Sequence, residues 1–180
     1  MAYYITTHSK VHFYPLEPTT EDIKIEDIAH SLSLLCRANG HFPEFYSVGQ
    51  HCVACCKEAV QRGYGNRLAL ACLLHDGAEA YLSDIPRPVK RDMPSFIARE
   101  EQLLSAIYTR FLGRDLQEGE EKLVAEVDDT MLYYEFYHYM GEKLLEPTAP
   151  LQSNPVFTFQ PFSEVEQEYL DWFYKLQKQD

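Results

Sequence analysis

The strongest constraint on the fold is an apolar run in the middle of the chain, Leu68 to Leu74, which reads Leu-Ala-Leu-Ala-Cys-Leu-Leu. A helix with this sequence is apolar nearly all round, and such a helix is buried in the core of a protein. We therefore predict a central helix from Arg67 to about Leu82, capped by Asn66. The rest of the domain has to be arranged around it.

Other helical segments flank this run. Their periodicity and end signals predict helices at about Asp22–Asn39, from the Ser47 cap to about Arg62, at about Pro94–Leu112, at about Glu118–Met140, and after a Ser163-x-x-Glu166 capping box. Gly40 is the expected stop of the first of these helices, and Thr19 or Thr20 its cap. We expect an irregular, proline-rich stretch over residues 146–161.

Two segments do not follow the helical pattern. Tyr3 to Phe13 is rich in β-formers with a polar break at His8-Ser9-Lys10, which predicts a short hairpin. Pro86 and Pro88 each remove a backbone donor, so the segment Asp84–Lys90 is expected to be a rigid, non-helical loop. The predicted fold class is all-α, a helical bundle with a small N-terminal β-hairpin.

The chain has 180 residues and neither repeats nor low-complexity tracts, so we expect one domain over residues 1–180. A net charge of −12 argues against a nucleic acid polymer as partner but not against a small anion held locally. No apolar stretch approaches the roughly 20 residues of a membrane span, and the N-terminus lacks the basic start of a signal peptide. We expect a soluble, cytoplasmic protein with no membrane partner.

The cysteines are odd in number, five, which favours free thiols over a disulfide framework. Cys52-x-x-Cys55 has the spacing of half a zinc site, but no second pair follows at the spacing of a zinc finger. Cys52, Cys55, Cys56 and Ala59 also recur at the positions of one helix face. Packing of this face against the core is the favoured interpretation.

Ionisable residues cluster where the apolar helix ends, at His75-Asp76, Glu79 and Asp84. Such groups are costly to bury unless they are paired, metal-bound or catalytic. His51 lies on the preceding predicted helix, which should run antiparallel to the central one and bring His51 towards His75. A late aspartate, Asp128 or its neighbour Asp129, would complete a mixed imidazole and carboxylate set. That ligand set suits Mn, Co, Fe, Ni or Zn.

This ordered set, H…HD…D, resembles the HD-domain superfamily of metal-dependent phosphohydrolases, through His51, His75-Asp76 and Asp128. His75-Asp76-Gly77-Ala78-Glu79 followed by Asp84-Ile85-Pro86-Arg87-Pro88-Val89-Lys90 is similar to the HD-x-x-E and D-[LI]-P-x-P-[VL]-K segments of small bacterial 5′-deoxynucleotidases. The likeness covers about residues 5 to 135. It implies an HD-domain helical bundle, one divalent metal ion and hydrolysis of a nucleotide phosphate, with a (deoxy)nucleoside 5′-monophosphate favoured.

The resemblance also implies roles for single residues. Glu79 would orient water or move its proton, Asp84 would assist at the nucleophile or leaving oxygen, and Arg37 would bind phosphate. Lys90 is a second phosphate-binding candidate. The chain departs from the deoxynucleotidases by lacking a tryptophan after Arg37, where it reads Ala38-Asn39-Gly40-His41, so selection of the sugar is not carried over.

Alternative functions remain open at this point. The same centre would serve a nucleoside triphosphate or a cyclic phosphodiester, and a non-enzymatic module could use it to sense a nucleotide. His30 is expected to lie outside the site. The aromatic stripe Tyr133 to Tyr139 predicts either core packing or a subunit interface, and hence a homodimer.

Overall fold

A computed structural model of the protein describes residues 3–144, 147 and 149–178. Its strands are β1 (Ile5–Thr6) and β2 (His12–Phe13), and its helices are α1 (Ile25–Leu34), α2 (Val48–Gln61), α3 (Asn66–Leu74), α4 (Glu79–Leu82), α5 (Arg87–Lys90), α6 (Pro94–Leu112), α7 (Glu118–Met140) and α8 (Phe162–Gln177). Short 3-10 turns occupy Thr20–Asp22 and Arg37–Gly40. The predicted fold class, all-α with a small antiparallel hairpin, is confirmed.

The core is built around α2 and α3. Helix α2 contacts α1, α3, α7 and α8, and α3 contacts α2, α6, α7 and α8. The apolar residues Ala69 to Leu74 are all buried, as predicted for a central helix. Helices α1 and α2 cross closely at Gly49, where an added Cβ would lie 3.1 Å from the backbone of Leu32.

Helix α2 begins as its sequence predicts. The Ser47 hydroxyl accepts from the Gln50 amide, and the Gln50 side chain accepts from the Ser47 amide, which completes a capping box. Cys52, Cys55 and Cys56 are buried on this helix, as the stripe predicted, and all five cysteines are free thiols. The cap fixes the start of α2 one turn before His51.

The central helix is shorter than predicted. It ends at Leu74 rather than near Leu82, and a turn precedes the separate helix α4. The Gly77 amide donates to Leu74 O at 2.8 Å, and a Cβ on Gly77 would lie only 2.9 Å from that oxygen. The buried Tyr169 hydroxyl from α8 donates to Leu73 O at 2.7 Å, satisfying a carbonyl that the helix end leaves without a helical partner.

Three other sequence predictions need correction. The segment around Pro88 is not wholly non-helical, because α5 begins at Arg87 and proline is tolerated in a first turn whose amides need no helical partner. The first helix ends at Leu34, well before Gly40, and Lys24 rather than a threonine precedes it. Helix α8 begins at Phe162 without a side-chain cap, so Ser163 and Glu166 do not form a capping box.

A buried ion pair fastens the irregular segment before α8. Arg62, the residue after α2, donates to Glu58 at 2.8 Å and to Glu126 on α7 at 2.7 Å. The Glu58 carboxylate also accepts from the amides of Gln152 and Ser153. Burial alone would raise the pKa of Glu58, but the hydrogen bonds from Arg62 and Ser153 lower it overall.

Over the described ranges, which leave out residues 1–2, 145–146, 148 and 179–180, the helices are each too short or too polar to cross a bilayer.

Candidate metal centre

Four nitrogen and oxygen atoms from three separated segments meet in the core. They are Nε2 of His51 on α2, Nε2 of His75 and Oδ2 of Asp76 at the end of α3, and Oδ1 of Asp128 on α7. The two Nε2 atoms are 3.2 Å apart, Asp128 Oδ1 lies 3.1 and 3.7 Å from them, and Asp76 Oδ2 lies 3.8 and 3.4 Å from them. We call these four residues the donor group.

Three of these separations, 3.1, 3.2 and 3.4 Å, match ligands around a single ion, and the other two, 3.7 and 3.8 Å, are a few tenths of an ångström longer. A cation bonded at about 2.1 Å to nitrogen and oxygen holds neighbouring ligand atoms about 3.0 to 3.4 Å apart. In addition, Asp76 Oδ2 is buried and has no hydrogen-bond partner. A buried carboxylate oxygen without a donor is costly, and a cation would satisfy it. The residues present therefore fit a divalent metal ion.

Both imidazoles are oriented by hydrogen bonds at their other nitrogen. His51 Nδ1 donates to Glu135 Oε1 at 2.7 Å, and His75 Nδ1 donates to Cys72 O at 2.8 Å. Each ring thus turns Nε2 towards the donor group. Hydrogen bonding of the second nitrogen to a carboxylate or carbonyl is the usual support of a metal-binding histidine.

Charge is concentrated in this region. Burial and the Arg37 charge favour neutral His51, but Glu135 and Asp128 raise the pKa of His51 overall. Burial likewise opposes a charge on His75, yet Asp76 holds the pKa of that ring well above its usual value. For Asp128 burial would raise the pKa, but the two neighbouring imidazoles outweigh burial and keep the pKa well below the usual range. The donor group therefore stays strongly polar although it is buried.

Arg37 reaches the same group from the turn after α1, where it is buried. Its Nε donates to Glu135 at 3.0 Å, while its terminal nitrogens lie 3.5 Å from Asp76 and 3.8 Å from Asp128. Those two distances are too long for good hydrogen bonds, so the terminal N–H groups keep donor capacity. The position of Arg37 is thus compatible with its predicted contact to an anion.

Glu79, the first residue of α4, lies beside the donor group. Burial, followed by the charges of Asp76 and Asp84, raises its pKa well above the usual carboxyl range, and its Oε2 has no hydrogen-bond partner. A cavity of about 110 Å³ opens next to His75, Asp76 and Glu79. This volume admits several water molecules.

Of the remaining predicted residues, Asp84 and Lys90 lie near the donor group. Burial raises the pKa of Asp84, although the Arg37 charge opposes that effect. Lys90 lines the same small cavity, with Nζ 2.8 Å from Glu100 and 4.0 Å from Glu79. Asp129, the alternative to Asp128, is exposed and pairs with Arg87 at 2.6 Å outside the donor group. His30 likewise lies outside it.

Sequence reasoning missed Glu135, Arg87 and the position of Cys55. Glu135 follows Asp128 by two helical turns, so the spacing on one face of α7 was a usable signal. Arg87 binds both Asp128 and Asp129 from α5, and nothing in the sequence pairs those segments. Cys55 Sγ lies 3.5 Å from His51 Nε2. Cys55 therefore forms, with His51 and His75, an alternative set of possible metal ligands at the same place.

The sulfur is the less suitable ligand in this protein. Cys55 is fully buried, and burial raises the pKa of its thiol well above the ordinary value. Only the thiolate binds metals strongly. A cation would therefore have to displace the thiol proton that burial holds on Cys55 before the sulfur could bind it.

Comparison with known proteins identifies similar sequences but no activity. No family model matches the chain. It is 42% identical over 108 residues to the uncharacterized protein YfdR of Escherichia coli K12, a match covering 60% of this chain and 58% of YfdR. It is 39% identical over 102 residues to an uncharacterized protein of Rhodobacter capsulatus, covering 53% and 52%. The chain thus matches little more than half the length of these relatives.

Proposed function

We propose that the chain is an HD-type phosphohydrolase that uses a divalent metal ion to cleave a nucleotide phosphate, with a (deoxy)nucleoside 5′-monophosphate as the favoured substrate. The observation that carries this proposal is the donor group itself. Its members follow the order H…HD…D in the sequence, and their imidazole and carboxylate ligand atoms lie 3.1 to 3.8 Å apart, near the spacing of ligands around one cation. The mixed imidazole and carboxylate set favours Mn, Co, Fe, Ni or Zn.

His51, His75, Asp76 and Asp128 would hold the ion. Bound there, it would supply Lewis-acid polarisation of a phosphoryl oxygen and activation of water. Glu135 and the Cys72 carbonyl support the proposal because they fix both imidazoles with Nε2 directed at the common position.

Glu79 is the proton carrier in this scheme. Its raised pKa keeps the carboxyl protonated closer to neutral pH than an ordinary glutamate, which suits a group that both gives and takes a proton. It borders the small cavity beside Asp76, where water has access. Asp84, whose pKa is also raised, would assist at the attacking or leaving oxygen.

Arg37 would bind the phosphate through its two terminal nitrogens, because its Nε is held by Glu135. A planar guanidinium fixed in this way offers parallel donors to two phosphate oxygens. Lys90 would add a positive charge from the lining of the small cavity, where it already pairs with Glu100.

The test is a hydrolysis screen that follows the nucleotide products by chromatography and measures released phosphate. Protein loaded with Mn²⁺ or Co²⁺ is offered nucleoside monophosphates, triphosphates and cyclic nucleotides, and we expect nucleoside and phosphate from the monophosphates. Products from another class alone, such as a nucleoside monophosphate from a cyclic nucleotide, would assign the alternative bond type. Nucleotide binding without hydrolysis of any class would identify a sensor and reject hydrolysis.

Two variants sharpen this screen. Glu79→Gln should lower kcat by about 10² to 10⁴-fold while metal still binds, because it removes only the proton carrier. Glu101→Gln is the matched control, since Glu101 also borders the small cavity but lies outside the donor group and its hydrogen-bond partners. Equal activity of both variants would exclude Glu79 from the chemistry.

A further inference from the structure

A second group of metal-ligand side chains lies where the N-terminal hairpin meets the bundle. It consists of His8 in the hairpin turn, His30 on α1 and Glu166 on α8, and shares no residue with the donor group. His30 Nδ1 lies 3.0 Å from Glu166 Oε2, and the His8 and His30 ring centroids are 3.8 Å apart. One nitrogen or oxygen atom from each residue lies within 4.8 Å of the others.

The position of His8 is fixed by its neighbours. Ser9 donates to Asp27 from both its amide, at 2.6 Å, and its hydroxyl, at 2.7 Å. Asp27 is buried on α1 one turn before His30. The turn is closed by the Lys10 amide, which donates to Thr7 O at 3.0 Å. These bonds hold the hairpin turn, and with it His8, over the helix face that carries His30.

The chemistry of this group suits a late first-row divalent cation. Two imidazoles and one carboxylate form a ligand set typical of zinc sites that keep a position for water. The 3.0 Å separation of His30 Nδ1 and Glu166 Oε2 equals that of adjacent ligands bonded at about 2.1 Å. His8 is exposed, so its ring can rotate out of the stack on His30 and direct a lone pair at the same position.

The surroundings leave room for the rest of a coordination shell. A cavity of about 510 Å³ lies beside His8 and His30, between the hairpin and α1. Asp27 and Lys10 line it together with apolar side chains such as Leu34 and Leu35, so the cavity has both polar and apolar walls. Water can therefore complete the coordination of an ion at this position.

We propose that His8, His30 and Glu166 form a second metal site, for Zn²⁺ or Ni²⁺, which fastens the hairpin to α1 and α8. The three residues lie on elements that are remote in sequence, so one ion there cross-links the N-terminus to the C-terminal helix. An ion that binds only the folded chain stabilises it by mass action. This site does not depend on the proposed hydrolytic function.

The experiment is a zinc titration of chelator-treated full-length protein, followed by calorimetry and by NMR of the histidine rings. The wild type should bind two ions per chain and His8→Ala one. His12→Ala is the matched control, because His12 is a hairpin histidine that stacks on Tyr4 and is not in the group. It should still bind two. Zinc should also shift the His30 ring signals in the wild type but not in His8→Ala.

Asp76→Ala separates this site from the donor group. An ion that persists in Asp76→Ala and is lost in His8→Ala supports the hairpin site even if the donor group binds nothing. Identical stoichiometry and affinity in the wild type and His8→Ala would overturn the proposal. So would binding only at millimolar zinc in all variants, or His30 signals that zinc leaves unchanged.

Discussion

Replacing Glu135 by glutamine tests how the donor group is oriented. Glu135 accepts from His51 Nδ1 at 2.7 Å and from Arg37 Nε at 3.0 Å, so both carboxylate oxygens receive a donor. A glutamine has one acceptor oxygen and one NH₂ group. If its oxygen serves Arg37, its NH₂ faces His51 Nδ1, and the imidazole then favours the tautomer that carries its proton on Nε2. The Nε2 lone pair of His51 is then protonated and can no longer bind a metal ion.

The expected losses of metal affinity and of folding stability follow from the interactions that the Glu135→Gln variant removes. Loss of the group that orients a metal-binding histidine typically costs 10- to 100-fold in metal affinity, or about 1.4 to 2.7 kcal/mol. The Glu135 carboxylate is fully buried, and Arg37 and His51 hold its pKa below the usual value although burial alone would raise it. Removing the charge of one partner in a buried ion pair costs about 3 kcal/mol or more of folding stability.

The assay is a competition titration with a chromogenic chelator, run beside thermal unfolding in chelator. Glu126→Gln serves as the control on the same helix, because Glu126 is partly exposed and pairs with Arg62 outside the site. We expect Glu126→Gln to keep metal affinity and to lose about 1 kcal/mol or less of stability. A folded Glu135→Gln variant with wild-type metal affinity would refute the orientation argument.

Further predictions concern the last ligand, acid stability and the turn after α3. Asp128→Asn should lower metal affinity at least about tenfold, whereas Asp129→Asn should leave it unchanged in the same titration. The contribution of Glu58, whose folded-state pKa is lowered, is complete above the unfolded value of about 4.3 and is lost as pH falls through the folded pKa. Melting temperatures should therefore fall on acidification, and fall less in Glu58→Gln. Gly77→Ala forces a Cβ to within 2.9 Å of Leu74 O and should cost about 1 to 3 kcal/mol in chemical denaturation.

Most helices of the bundle could be predicted from the sequence, because the spacing of the apolar residues and the residues typical of helix ends indicated the same boundaries. Helices α6 and α7 have the predicted bounds, Pro94–Leu112 and Glu118–Met140, since proline starts one and a left-handed glycine ends each. The predicted end of α3 was wrong because residues Ala78 to Leu82 continue the apolar pattern. After Leu74 the chain turns, with the Gly77 amide donating to Leu74 O, and Gly77 lies close to the Ile107 side chain of α6, a tertiary contact without a local sequence signal.

The donor group was predictable to a different degree. His51 and His75 could be paired from antiparallel helix order, and their Nε2 atoms lie 3.2 Å apart. Asp128 required a resemblance, because its helix is remote in sequence from the other two. Glu135 was missed since an isolated glutamate in an aromatic stretch looks like a surface residue, and its hydrogen bonds with His51 and Arg37 explain its complete burial.

The charges around the site dictate an order of binding. The cations there are already hydrogen-bonded to carboxylates: Arg37 to Glu135 at 3.0 Å, Arg87 to Asp129 at 2.6 Å and Lys90 to Glu100 at 2.8 Å. In a chain of net charge −12, a phosphate dianion approaching this region meets carboxylates that its own charge repels.

A divalent ion in the donor group reverses that local balance, so metal should bind first and the nucleotide second. Equilibrium dialysis of a nucleoside monophosphate checks this order, with binding expected in Mn²⁺ and none in chelator. The same affinity in both conditions would mean that the terminal nitrogens of Arg37 bind phosphate without help from a metal ion, and the proposed order of binding would be wrong.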